Sequence, residues 1–274
     1  MHEHFFNKIN DVLEYIDMST FTVFLGIALI VLVYFFINAL EKKRGFSREK
    51  TNKFLILFGG ALLITYLFAW FFDALFHYFE NDEFEGGITF IAGFIGGVVS
   101  FVLLIYFLMK DERKNIYSIL NLIIPGVILA HAIGRLGCFS VGCCYGIDAE
   151  GSIFGVYFPE GTNPYIDGIR VKIHPTQLYE AFFLFALFFI IKLKVFKKNE
   201  FSYYLIFYGI FRFILEVFFR GDSRGEIFGV APSSILSVVM VLAGIGILLY
   251  LKYFNKQLKE VEELWVTIIN LIRI

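Results

Sequence analysis

The chain has 274 residues and a formal net charge of −1, yet 58% of its residues are hydrophobic, 19% are aromatic and 36 are Phe. A mean hydropathy of +0.72 excludes an ordinary soluble domain. The charges are nearly balanced and segregated by segment, so the composition points to no nucleic-acid partner.

Residues 1–20, "MHEHFFNKINDVLEYIDMST", are polar and lack a basic stretch leading into an apolar core, so no cleavable signal is expected. Their "FFNKINDVLEYI" predicts an amphipathic helix on the outer leaflet. Apolar runs then recur at about 21–40, 54–76, 87–109, 116–134, 178–196, 202–220 and 232–251, each near the length that crosses a bilayer. The predicted fold is an all-α, polytopic membrane protein with about seven transmembrane helices. The third run is glycine-rich, "GGITFIAGFIGG", which lets a neighbouring helix approach closely. The fourth is the least apolar and holds Pro125. No repeat, linker or low-complexity segment interrupts the chain. The expected division is a 1–20 outer-leaflet segment, a 21–252 membrane domain, and a 253–274 interfacial helix on the cytoplasmic side.

Basic residues set the orientation. Lys42, Lys43, Arg44, Arg48, Lys50 and Lys53 follow the first run. Lys110, Arg113 and Lys114 follow the third; Lys192, Lys194, Lys197 and Lys198 the fifth; Lys252, Lys256, Lys259 and Arg273 the last. These are alternate connections, and the positive-inside rule makes them cytoplasmic. The N-terminus is then outside and the C-terminus cytoplasmic. The acidic "HYFENDEFE", the 135–177 segment and the 221–231 loop face outward.

A charged side chain near the bilayer centre costs roughly 2.5–3.5 kcal/mol on insertion scales, so polar residues inside apolar runs ask for a reason. In "YGIFRFILEVFFRGD", Tyr208, Arg212, Glu216 and Arg220 are spaced by four and share one helix face over about 18 Å. That stripe is either a salt bridge pinning helices together or a track for an anionic head group, whose phosphate a guanidinium fork would grip in a bidentate way. Glu216 would orient the arginines. In "IHPTQLYEA", Thr176 is a candidate helix cap, and His174, Gln177, Tyr179 and Glu180 cluster around it. Asp73 and His77, four apart, form another outer-end pair. "RGDSRG" adds Asp222 and Arg224.

"HAIGRLGCFSVGCCYG" places His131 one turn before Arg135 and gathers all three cysteines, Cys138, Cys143 and Cys144. Its glycines predict a turn at the outer end of the fourth run, with backbone N–H groups open to a ligand. The C-x4-C-C spacing is not a usual zinc spacing. Between a metal site, a disulfide, a thiol nucleophile and packed thiols lining a pocket, the sequence leaves the choice open.

Together "GGITFIAGFIGG" (86–97), "GRLGCFSVGCCYG" (134–146), "HPTQLYE" (174–180) and "YGIFRFILEVFFRGD" (208–222) resemble the prolipoprotein diacylglyceryl transferase family. The resemblance spans about residues 20–250. It implies a multi-pass enzyme of the bacterial cytoplasmic (inner) membrane, with its active site facing the outer side. Such an enzyme moves the diacylglyceryl group of phosphatidylglycerol onto the lipobox cysteine of a prolipoprotein, and glycerol phosphate leaves. The implied partners are phosphatidylglycerol, prolipoprotein signal peptides and membrane lipid; no cofactor and no metal are implied, and a monomer is expected. Arg135 and Arg212 match the family's arginines, and Tyr208, Glu216 and Gly146 match further positions. The catalytic set expected is His131, Arg135, Arg212 and Glu216. The substrate-binding set is Tyr208, Arg220, Gly137, Gly146, His174, Gln177, Tyr179, Glu180, Cys138 and Cys143. The chain departs from the family at three places: Ile91 stands where a functional His is common, Cys138 where Asn is usual, and Cys143 where Glu is usual. His131 then becomes the candidate base, with His77 in reserve. Two alternatives remain: a related lipid transferase with another acceptor, and a non-catalytic phospholipid-binding protein.

Overall fold

A computed structural model of the chain describes residues 19–81, 90–222 and 230–272. Among the described residues, seven long helices lie over the apolar runs: α1 Thr20–Asn38, α2 Arg48–Asn81, α3 Phe90–Leu108, α4 Ile116–Val141, α6 Thr176–Lys192, α7 Glu200–Phe219 and α8 Pro232–Ile272. The eighth, α5, is one turn, Asn163–Ile166. A π-helical turn, Ala39–Lys43, extends α1, and a 3₁₀ turn, Lys110–Asn115, precedes α4. The described residues form no strand, only isolated bridges such as Gly146 with Arg220 and Asp148 with Ile173. Among the described residues, five segments are long and apolar enough to cross a membrane: Thr20–Lys43, Arg48–Phe72, Lys110–Val141, Glu200–Phe219 and Pro232–Tyr253. Ala92–Leu108 is a shorter apolar helix.

The helices differ in how much of themselves they bury. In α1, α2 and α8 only 22% of the apolar window is covered by the chain; in 110–141 it is 56%. Ile30, Ile56 and Leu63 therefore point outward, as lipid-facing residues do. The α4 helix is the central post, packed on α1 and α6, while α2 pairs with α3 and α7 with α8. Without a hydrophobic drive between helices in lipid, small residues let backbones approach. A Cβ on Gly96 of α3 would lie 2.5 Å from the Phe68 ring of α2. One on Gly126 of α4 would lie 2.5 Å from Phe35 of α1. One on Gly209 of α7 would lie 2.8 Å from the Ser237 carbonyl of α8. Between the seams sits a core that includes Phe36, Phe54, Phe58, Ile105, Ile124, Ile128 and Leu184, with Phe36 and Phe58 stacked at 4.5 Å.

All the described basic connections meet at one end of the bundle. Lys50 pairs with Asp111 (2.7 Å) and with buried Glu112 (2.6 Å), and Arg44 reaches Glu112 at 3.4 Å. Asn121 donates to the Lys198 carbonyl (2.9 Å), and Tyr117 donates to Asn199 (3.1 Å). An open cavity there is lined by Lys197, Lys198 and Lys252 with Tyr117 and Leu248.

Two local expectations are corrected. The chain does not turn at Gly134 and Gly137. The α4 helix continues to Val141, and the turn comes at Gly142, whose φ of 75° is the left-handed conformation that glycine adopts without strain. Nor does Thr176 cap α6. Pro175 holds the cap position, and the Thr176 hydroxyl donates instead to the Cys144 carbonyl (2.5 Å). The α8 helix runs unbroken from its apolar part through the tail to Ile272. The 1–18 segment, residues 82–89 with the end of the acidic loop, Arg224, and the side chains of Asp73, His77 and Ile91 lie outside what is described.

Candidate active site

At the end opposite the basic connections, α4 and α7 end and α6 begins. Each brings charge into an otherwise apolar interior. Glu180, 1% exposed, sits in the second turn of α6, where the positive end of the helix dipole favours a carboxylate. Its Oε1 accepts a hydrogen bond from the Tyr208 hydroxyl of α7 (2.7 Å) and forms an ion pair with Arg135 Nε of α4 (2.9 Å). Its Oε2 accepts from Arg212 Nη1 of α7 (2.9 Å). His131, one turn before Arg135, places Nε2 3.4 Å from Glu180 Oε1, with its ring edge-on to Tyr208. Three helices thus converge on one carboxylate.

From there the charges run outward. Arg212 Nη2 meets Glu216 at 2.9 Å, and Arg220 Nη1 meets the same oxygen at 3.6 Å. Arg220 also pairs with Asp222. The α7 helix stops at Phe219, and Arg220 is extended (φ −72°, ψ 132°), so the four-residue stripe ends one residue past the helix. The three arginines balance Glu180, Glu216 and Asp222. Buried charge is tolerated only in such pairing.

The wall beside this line is built from the turn after α4. Gln177 Nε2 donates to the Cys143 carbonyl (2.7 Å), so α6 holds the cysteine backbone from two adjacent residues, Thr176 and Gln177. Arg135 Nη1 lies 3.6 Å from Cys144 Sγ and 3.9 Å from Cys138 Sγ. No disulfide joins the three thiols. The hydrogen bonds Cys143 shares with Cys138 and Cys144, with burial, push its thiol pKa far above the usual range. A thiol so held is a poor nucleophile.

The remaining expected residues are dispersed around this core. His174 Nδ1 and the Tyr179 hydroxyl hydrogen-bond at 2.8 Å beside Phe219, on the rim. Gly146 is a packing residue: a Cβ there would lie 2.6 Å from the His174 carbonyl and 2.7 Å from that of Phe219. Gly137 faces α1, with a Cβ 2.9 Å from Phe24. Neither glycine belongs to the charged cluster. Sequence reasoning missed Glu180 as the shared acceptor of both arginines and gave that task to Glu216. The available signal was a carboxylate inside the apolar "TQLYEAFFLF". It also missed Tyr204, fully buried one turn below Tyr208 with the rings stacked at 5.5 Å. Among the described residues the Tyr204 hydroxyl, Arg212 Nε and Gln177 Oε1 are buried polar atoms with no hydrogen-bond partner.

Fold and site together define a helical membrane protein that keeps a charge-balanced arginine–glutamate cluster at one end of its bundle. The family model of prolipoprotein diacylglyceryl transferase matches residues 11–250. The chain is 32% identical over 220 residues to the phosphatidylglycerol–prolipoprotein diacylglyceryl transferase of Clostridium tetani, covering 75% of this chain and 82% of the relative. It is 33% identical to transferase 2 of that name from Clostridium perfringens (61% and 63% covered) and 29% identical to the Wolbachia pipientis enzyme (82% and 87% covered). The chain belongs to the prolipoprotein diacylglyceryl transferase family and is a transferase.

Proposed function

We propose that this chain transfers the diacylglyceryl group of phosphatidylglycerol to the lipobox cysteine thiol of prolipoproteins. The thiol sulfur forms a thioether to the glyceryl carbon, the carbon–oxygen bond to phosphate breaks, and glycerol phosphate leaves. His131 takes the thiol proton, and Glu180, 3.4 Å from its Nε2, orients the ring and balances the imidazolium. Arg135 and Arg212 bind the phosphate and stabilise the charge that grows on the leaving group. The observation that carries this reading is the pair of arginines from two helices on one buried carboxylate. Each guanidinium has five donors, and Glu180 engages one from each. The buried polar atoms of Tyr204, Arg212 and Gln177 that lack a partner fit a pocket that a polar substrate completes.

Seven spans, an outside N-terminus, a cytoplasmic C-terminus and a site open to the outer side of the inner membrane complete the proposal. The gathering of the basic connections at the far end of the bundle supports it. Within it, 21–252 is the catalytic domain, flanked by the 1–20 outer segment and the 253–274 cytoplasmic helix, and the chain acts as a monomer. Cys138 and Cys143, at positions usually Asn and Glu, favour one second reading: the same donor with a different acceptor.

The test supplies purified chain with labelled phosphatidylglycerol and a lipobox peptide, and measures peptide mass and released glycerol phosphate. The expected result is one diacylglyceryl per peptide, with matching release. Donor turnover without peptide modification would select the second reading. No turnover by folded protein would overturn both.

A further inference from the structure

The reaction proposed above gives the three cysteines no chemical task, yet they are held together with care. Cys138 lies in the last turn of α4, and Cys143 and Cys144 follow Gly142. Gly142 (φ 75°) and Cys144 (φ 65°) are both left-handed, and this folds the turn back on the helix end. The carbonyls of Cys143 and Cys144 are each fixed by a side chain of α6. The result is three sulfurs that all lie within 4.8 Å of one another, beside the Arg135 guanidinium.

We propose that Cys138, Cys143 and Cys144 form a three-thiolate site for a soft monovalent metal ion, copper(I). Metal–thiolate bonds are about 2.3 Å, so a trigonal ion needs its sulfurs about 4 Å apart, a small contraction of the observed cluster. Among the described residues no His, Asp or Glu joins the group as a fourth ligand. A tetrahedral zinc site wants that fourth ligand, whereas soft thiolates alone suit copper(I). Binding is ligand exchange without oxidation or reduction: one copper(I) enters, up to three S–H protons leave to solvent, and copper–sulfur bonds form. Arg135, which also pairs with Glu180, faces the sulfurs and lowers the cost of the negative charge that the complex carries. The ion is not a cofactor of the transfer. It occupies the side of Arg135 that faces the thiols.

The test uses the full chain in detergent, reduced and anaerobic, titrated with copper(I) against a chromogenic chelator. One copper per chain is expected, with affinity that tightens as pH rises because protons are displaced. Cys143→Ser should weaken binding at least tenfold, and replacing all three by Ser should abolish it. In parallel, iodoacetamide labelling at raised pH, followed over time by intact mass, should modify the metal-free chain faster than the copper-loaded one. Equal copper binding by the wild type and the triple Ser variant would overturn the site. So would equal labelling with and without copper, a result that does not depend on any variant folding. Loss of transfer by the metal-free chain would speak against the reaction, not against the site.

Discussion

At the scale of single residues, the cluster turns on which group carries charge and which moves a proton. Glu180 is the joint counter-charge of Arg135 and Arg212. Glu180→Gln keeps the shape but leaves two buried guanidinium groups without it. Breaking a buried pair in this way costs on the order of 3–5 kcal/mol, so the melting temperature in detergent should fall clearly along with transfer. Glu216→Gln should cost less, because its partners Arg212 and Arg220 keep Glu180 and Asp222. Equal melting temperatures for the two variants would contradict the central place of Glu180. The proton step separates two histidines. His131→Asn should lower transfer by roughly 10²–10⁴-fold, the usual worth of a positioned base, while His77→Asn should leave it near wild type. The reverse pattern, read from initial rates at saturating donor, would move the base to α2. Ile91 makes this comparison necessary, because the family resemblance leads one to expect a histidine at that position.

At the scale of helices, the structure is held by seams where backbones touch. Gly209 and Gly244 form one, between α7 and α8: a Cβ at Gly244 would lie 2.7 Å from the Ser202 carbonyl. Gly209→Val forces the helices apart, and overpacking of this kind costs about 1–3 kcal/mol. Gly246→Ala, which meets nothing within 4 Å, should leave the melting temperature unchanged or raise it. If both variants melt alike, the seam is not what holds α7 against α8. These elements also show how far local pattern reaches. The long helices were legible because an apolar run of bilayer length has few other folds open to it. The close approach promised by "GGITFIAGFIGG" was legible for the same reason, and Gly96 against Phe68 realises it. The end of α4 was not. Gly134 and Gly137 read as breakers, but Gly137 is spent on contact with Phe24, a residue more than 100 positions away. Thr176 read as a cap, but its hydroxyl goes to Cys144 across the fold. Arg135, Glu180 and Arg212 were each singled out by type. Their meeting on one carboxylate depends on three helices and has no trace in local spacing.

At the scale of the whole molecule, the two ends of the bundle differ in charge and in task. One end ties Arg44 and Lys50 to Asp111 and Glu112 and gathers Lys197, Lys198 and Lys252 around a cavity. The other carries the 142–175 segment, where Ile153, Phe154, Tyr157 and Ile166 are exposed apolar groups. Positive residues resist translocation, so the first end should remain in the cytoplasm and the site should open outward. Ser47 and Glu160 are exposed on opposite ends and serve as reporters. In a background with the three native cysteines changed to Ser, Glu160→Cys should react with a membrane-impermeant maleimide on intact spheroplasts. Ser47→Cys should react only after the membrane is opened. The reversed pattern would put the cluster on the cytoplasmic side, away from any exported prolipoprotein, and would remove the proposed acceptor even if phosphatidylglycerol still bound. Labelling of both positions from outside would break the bundle's polarity itself, because Lys50 beside Ser47 is tied to the turn before α4, and α4 ends at the site.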